Sequence, residues 1–184
     1  MITIDPNECT RIHNRNLDIS TYATGGDAII VEGTLLDNRF QDTYLPGGNV
    51  RPAGPVHHLI IRMLVRGPGL VIEDIDVEMP IVPRAEACRE TLDSLEPLKG
   101  MPISSGFTAR VKELVGGPKG CAHLTALLLA MAPAAVQGAW AAVARQSVDS
   151  ARLSERALDF VVDTCRVWRS DGPLVKEYTE KIHR

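Results

Sequence analysis

The sequence predicts an α+β domain, with an antiparallel β-meander in the N-terminal half and helices from the C-terminal half packed on one face. Three observations carry that expectation. Apolar and polar residues alternate with a period of two up to about residue 80. Beyond that point apolar residues recur at helical spacing. Gly- and Pro-rich turns punctuate both halves, so strands come first and helices after. The expected organisation is a single domain over 1–184, with strands about 11–80, helices about 84–170 and a charged tail 174–184.

The first strand is read in Leu17–Tyr22, which alternates and meets the hairpin-type turn Gly25-Gly26-Asp27. Ala28–Leu36 follows. There Ile29, Val31, Gly33 and Leu35 share one face, Glu32 and Thr34 lie on the other, and Asp37 continues the apolar phase at the strand's end. A loop rich in Gly and Pro, Asp42 to Pro55, comes next; a loop of this length inside a compact domain often covers a site. Val56–Arg66 is the third strand. His57, Leu59, Ile61, Met63 and Val65 line one face, and His58, Ile60, Arg62, Leu64 and Arg66 the other. After Gly67-Pro68-Gly69 the chain returns as Leu70–Met79. Asp74, Asp76 and Glu78 point one way, toward Arg62 and Arg66, as a solvated face rather than a metal site.

The helical half begins with Arg84–Leu95, whose stripe is Ala85, Cys88, Leu92 and Leu95, ended by Pro97. Ser104 or Ser105 can cap a helix over Phe107–Val115, stopped by Gly116-Gly117-Pro118. A long apolar helix starts near Cys121 and is expected to kink or break at Pro133. It carries no Lys, Arg, Asp or Glu from Gly120 to Ala144, long enough to span a bilayer. His123, Gln137, Gly138 and the alanine content favour a core helix instead. A last helix, Leu153 to Trp168, would bury Ala157, Leu158, Val161, Cys165 and Trp168. Gly172-Pro173 would close it and leave Lys176–Arg184 as a frayed surface segment.

Composition narrows the function classes. A net charge of −3 without a basic run argues against nucleic acid, which needs clustered Lys and Arg. No secretory leader is read in Met1–Asn16. Cys9, Cys88, Cys121 and Cys165 are therefore expected as reduced thiols in the cytoplasm.

The stretch with most chemistry is Gly116-Gly117-Pro118-Lys119-Gly120-Cys121-Ala122-His123-Leu124. It is a glycine-rich loop running into the apolar helix, and a helix N-terminus favours a thiolate or a bound anion. Inside a helix, residues two apart diverge by about 200°. Cys121 and His123 therefore meet only if Cys121 sits at or before the cap. Three functional readings follow. In a metal site, zinc or another divalent metal would take Cys121 and His123 with help from His57, Asp37, Cys88 or Cys165, all on the core-facing sides of their elements. As a nucleophile, Cys121 would work with His123, with Lys119 near and helix N–H groups as an oxyanion hole. As an anion cradle, Gly117, Lys119 and Gly120, with Arg51, would bind a small phosphate- or carboxylate-bearing molecule, without the spacing of a P-loop.

Several pieces resemble an uncharacterised bacterial family, domain of unknown function 2889. They are Gly33-Thr34-Leu35-Leu36-Asp37, Val56-His57, Cys88, Gly106-Phe107, Gly120-Cys121-Ala122-His123-Leu124 and Asp163-Thr164-Cys165, of which the G-C-x-H-L piece is the most specific. The resemblance implies a shared fold and a shared polar cluster of Asp37, His57, Cys88, Cys121, His123 and Cys165. In the family an Asp commonly follows the histidine aligned with His57, whereas here that position is His58.

Together these readings predict a metal- or thiol-dependent small-molecule enzyme of hydrolase or acyl-transfer type. Cys121 and His123 stand at its centre, His57 is general base or third ligand, and Asp37 is its orienting partner. The expected ligand is a small anionic metabolite, with no nucleic acid and no membrane as partner. The alternative is a non-catalytic small-ligand-binding or assembly module with buried structural cysteines. It would form a homo-oligomer through the alanine-rich helix, where Gly138, Ala139, Ala141 and Ala142 permit close approach.

Overall fold

A computed structural model describes residues 1–143, 158 and 161–182. Its strands are β1 (His13–Ala23), β2 (Ala28–Arg39), β3 (Thr43–Tyr44), β4 (Val50–Arg51), β5 (Gly54–Arg66) and β6 (Val71–Ile81). The four long strands form one antiparallel sheet in the order β1-β2-β5-β6, and β3 and β4 form a separate hairpin between β2 and β5. The helices among the described residues are α1 (Ala85–Arg89), α2 (Phe107–Val115), α3 (Ala122–Val143) and α4 (Pro173–Ile182). The chain is thus an α+β protein with the meander first and the helices after.

The period of two decides which face is covered. Ile29, Val31 and Leu35 of β2 and Leu59, Ile61, Met63 and Val65 of β5 are buried, and α3 lies across β2, β1 and β5 on that face. Leu124, Leu127, Leu128 and Met131 of α3 are fully buried against it, each worth about 1.5–3 kcal/mol. Gly33 makes the seat possible, since a Cβ there would lie 2.6 Å from Met131 Sδ and 3.1 Å from Leu127 Cδ1. Gly138 plays the same part further along, where α3 closes on Thr21 of β1. The glycine of the expected oligomer stripe therefore serves contact within the chain. Ala139 and Ala142 pack partly against the same core.

α3 is long and apolar enough to cross a membrane by length and composition. Its first half is a core helix on the sheet, and Trp140 and Val143 near its end are exposed. It runs through Pro133 without a break. The missing N–H costs one helical bond, but Met131, Ala132 and Ala135 on either side are seated in the core.

Several local expectations are corrected. The helix expected over Arg84–Leu95 stops at Arg89, and Leu92–Leu98 forms a 3-10 helix with Pro97 inside it. The residues that need burial there, Leu95 and Leu98, are three apart, which is the period of a 3-10 turn. No serine caps α2: its N-cap is Gly106, in the left-handed region at φ 83°, with no side-chain cap. In β6 the expected alternation holds, with Asp74, Asp76 and Glu78 exposed, Ile75 and Met79 buried and Val77 partly so; a bulge at Glu73 brings Ile72 onto the same buried face.

Of the helix expected over 153–168, residues 153–157, 159 and 160 lie outside the described residues. From Val162 onward the chain is in turns, with Asp163 at φ 61°, and Cys165 is exposed rather than on a buried stripe. Pro173 opens a helix instead of closing one, because proline fits the first helical position. The expected frayed tail is therefore α4, with Val175 buried.

Candidate functional site

The covered face changes character at one end of the sheet. Along β2 the inward series Ile29, Val31, Gly33, Leu35 ends in Asp37, which is 2% exposed and is the buried charged residue among those described. The ladders place Arg15 of β1 and His57 of β5 directly across from it, so the three side chains form one row across three strands. Arg15 grips Asp37 with a fork, Nε donating to Oδ1 at 2.7 Å and Nη2 to Oδ2 at 2.7 Å. His57 Nδ1 lies 3.0 Å from Oδ2. His13, two residues before Arg15, places Nε2 3.6 Å from Oδ1.

The start of α3 closes this row from above. Cys121 is the N-cap: its carbonyl accepts the first helical bond from the Thr125 N–H at 2.9 Å, and the helix proper begins at Ala122. That satisfies the geometric condition for Cys121 and His123 to meet, and Sγ lies 3.8 Å from His123 Nδ1. The other nitrogen of His123, Nε2, lies 3.7 Å from Asp37 Oδ2. The rings of His57 and His123 stack with centroids 3.9 Å apart. One donor atom each from Asp37, His57 and His123 all fall within 4.8 Å of one another, a group able to hold a metal ion.

Electrostatics sets the protonation pattern. The Arg15 guanidinium holds the Asp37 carboxyl below the usual carboxylate range, against the opposing effect of burial. Burial lowers His57 below its ordinary 6.5, more than the bond to Asp37 raises it; Arg15 and Arg39 add to the lowering. His123 is lowered by burial first, then by the charges of His57 and Arg15. At neutral pH the site holds an ionised carboxylate and two neutral imidazoles, the state in which all three are metal ligands.

The remaining candidates fall elsewhere. Cys88 lies on α1, partly buried against the core, outside the Asp37–His57–His123 group, as is Cys165. None of the four cysteines is buried: Cys9 and Cys165 are exposed, Cys88 and Cys121 intermediate. Lys119 donates from Nζ to the Glu113 carbonyl at 2.7 Å, where its charge meets the C-terminal end of α2. Gly117 adopts φ 61° in the turn, and Gly120 passes so near α2 that a Cβ would lie 2.7 Å from the Val115 carbonyl oxygen. Arg51 donates to the Pro83 carbonyl at 2.9 Å, anchoring the β3–β4 hairpin to the segment after β6. His58 alternates away from His57 and pairs with Ile81.

Arg15, His13 and Arg39 were not singled out from the sequence. The signal was present, because counting outward from the Gly25-Gly26-Asp27 turn places Arg15 opposite Asp37. Reading the strand only from Leu17 stopped that count short.

Comparison with known proteins adds a family. The model of the family described as "Protein of unknown function (DUF2889)" matches residues 13–137, and the chain belongs to it. The match runs from the start of β1 into α3, so it contains every member of the Asp37 row and of the cluster above it. No curated protein and no solved structure matches the chain.

Proposed function

We propose that this member of the family is a metal-dependent enzyme of hydrolytic type acting on a small molecule. A divalent ion of the zinc class would be held by His57, His123 and Asp37. The observation that supports this reading is the convergence of two neutral imidazoles and one carboxylate within 4.8 Å at the polar end of the covered face. Metal–ligand bonds of 2.0–2.3 Å in a tetrahedron put neighbouring donors about 3.3–3.8 Å apart. The separations from Asp37 Oδ2 to His57 Nδ1, 3.0 Å, and to His123 Nε2, 3.7 Å, lie near that range, while Cys121 faces the other nitrogen of His123. Three protein ligands and an open position are the pattern of a catalytic rather than a structural site. A bound ion there would polarise a carbonyl or activate a water. The chain's own part is to fix Asp37 through Arg15 and to present the α3 N–H groups to developing negative charge.

A second reading makes Cys121 the nucleophile. It is favoured by the position of Cys121 at the N-cap of a 22-residue helix with Sγ 3.8 Å from His123 Nδ1.

Elemental analysis of untagged protein purified without chelator separates the two. The metal reading expects about one ion per chain. That ion is lost in His57→Ala, His123→Ala and Asp37→Asn and retained in Cys88→Ser and Cys165→Ser. Cobalt substitution then reports the fourth position: a thiolate-to-cobalt charge-transfer band would make Cys121 a ligand and close the site. Protein that carries no metal and takes up no added zinc overturns the reading. A single fast-alkylating thiol at Cys121 would then support the nucleophile.

A further inference from the structure

Arg39 is the one guanidinium at this end of the sheet whose chemistry is left over. It lies on β2 two residues beyond Asp37, hence on the same covered face, with His13 across from it on β1 and Gly54 on β5. Its Nε is buried and takes no hydrogen-bond partner. Arg15, Arg62 and Arg66 all hold carboxylates, while Arg39 makes no ion pair among the described residues. A buried donor without an acceptor is rare in folded proteins and asks for a partner. Solvent does not reach Nε, so an incoming anion would meet the outer nitrogens of the guanidinium, which make no hydrogen bond among the described residues. The charges also ask for one: Arg15 and Arg39 stand on the same face as Asp37, the buried carboxylate among the described residues.

We infer that Arg39 is the recognition residue for an oxyanion, the carboxylate or phosphate of the substrate, which docks between its guanidinium and the His57–His123 centre. The inference rests on the proposed metal site for the identity of that centre, but not for the anion contact itself. A planar fork of N–H donors suits either oxyanion. Two cationic side chains beside a divalent ion would be mutually repulsive until a ligand of opposite charge arrived. On this reading the anion completes the site. Asp37 is already committed to Arg15, which leaves Arg39 as the free arm.

Calorimetric titration of the zinc-loaded and the metal-free protein with inorganic phosphate and, separately, with acetate tests this at fixed ionic strength. The expected result is saturable binding of at least one of them with a Kd at or below about 1 mM. Binding should weaken about tenfold in Arg39→Gln, less in Arg39→Lys, and remain unchanged in Arg62→Gln. The preferred probe tells whether the substrate group is a phosphate or a carboxylate. Metal content equal to wild type in Arg39→Gln, with an unchanged melting temperature, shows that the loss is not one of folding. Absence of saturable binding of either anion, or equal binding by Arg39→Gln, overturns the inference. Failure of the metal reading registers separately, as absent zinc in wild-type protein, and leaves the metal-free titration to decide the role of Arg39.

Discussion

The sheet carries arginine–carboxylate pairs on both faces, and burial makes them different objects. On the open face Arg62 pairs with Glu32, Asp76 and Glu78, and Arg66 with Asp27 and Glu73. Asp76 is 70% exposed and the others are well hydrated, so solvent screens these contacts and leaves each worth under about 1 kcal/mol. On the covered face Arg15 holds the buried carboxylate of Asp37, whose side chain is only 3% exposed. There the pair is what allows a charge to exist at all, because an unpaired buried carboxylate would take up a proton. The open pairs decorate a surface; the covered pair creates an anion where two imidazoles can use it.

The sharpest way to break this contrast is to remove one arginine from each face. Arg15→Ala strands Asp37 and is expected to cost about 2–3 kcal/mol in denaturant unfolding. That is below the full cost of a buried pair because Arg15 itself is 38% exposed. Arg62→Ala is expected to cost under about 1 kcal/mol. Equal losses would mean that burial does not distinguish the faces. In the double variant Arg15→Ala/Asp37→Asn part of the first loss should return, since the stranded charge is gone.

A pH series separates the faces next. His57 and His123 have folded values lowered from 6.5, so below that value the unfolded chain binds more protons than the folded one. Their contribution to stability is complete above 6.5 and declines as pH falls toward their lowered folded values. Chelated protein should therefore lose stability on acidification from about pH 7, and His57→Gln and His123→Gln should each flatten that slope. Glu78→Gln on the open face should leave it unchanged. An acid slope unaltered by both histidine variants would show that the stacked pair is not the source.

The smallest expected effect concerns the glycine-rich loop. Lys119→Ala removes the contact with the Glu113 carbonyl and its charge from the end of α2, worth about 0.3–1 kcal/mol. Metal content and phosphate affinity should not change. A loss of anion binding in this variant would return the loop to the site.

What the sequence made legible follows from the same contrast. The covered face was readable because the alternation from Ile29 to Asp37 and from His57 to Val65 is unbroken, and a period of two names the face without further help. The position of Asp37 and His57 on that face and the start of the long helix at Cys121 followed directly. Periodicity does not say which distant element lies above a face. For that reason Cys88 and Cys165 stand beside His57 and Asp37 as candidate partners of Cys121 and His123 until α3 is placed over β2 by Gly33. The failures cluster where local signals compete. Arg84–Leu95 has a helical stripe, but burial of Leu95 and Leu98 selects a 3-10 turn. Gly172-Pro173 reads equally as a stop or a start, and the structure uses it as a start.

The row of Arg15, Asp37 and His57 is written in strand register. A slip of one residue between β1 and β2, or between β2 and β5, would send one member to the opposite face. Thr21 on β1 and Ala134 on α3 meet by a hydrogen bond across 113 positions of chain, so the cap of the row arrives only after the long-range contacts have formed. The site thus works as a checksum on folding. Its four segments bring the cluster together only when every strand is in step and the helix is home, so a chain that errs in either respect does not assemble it.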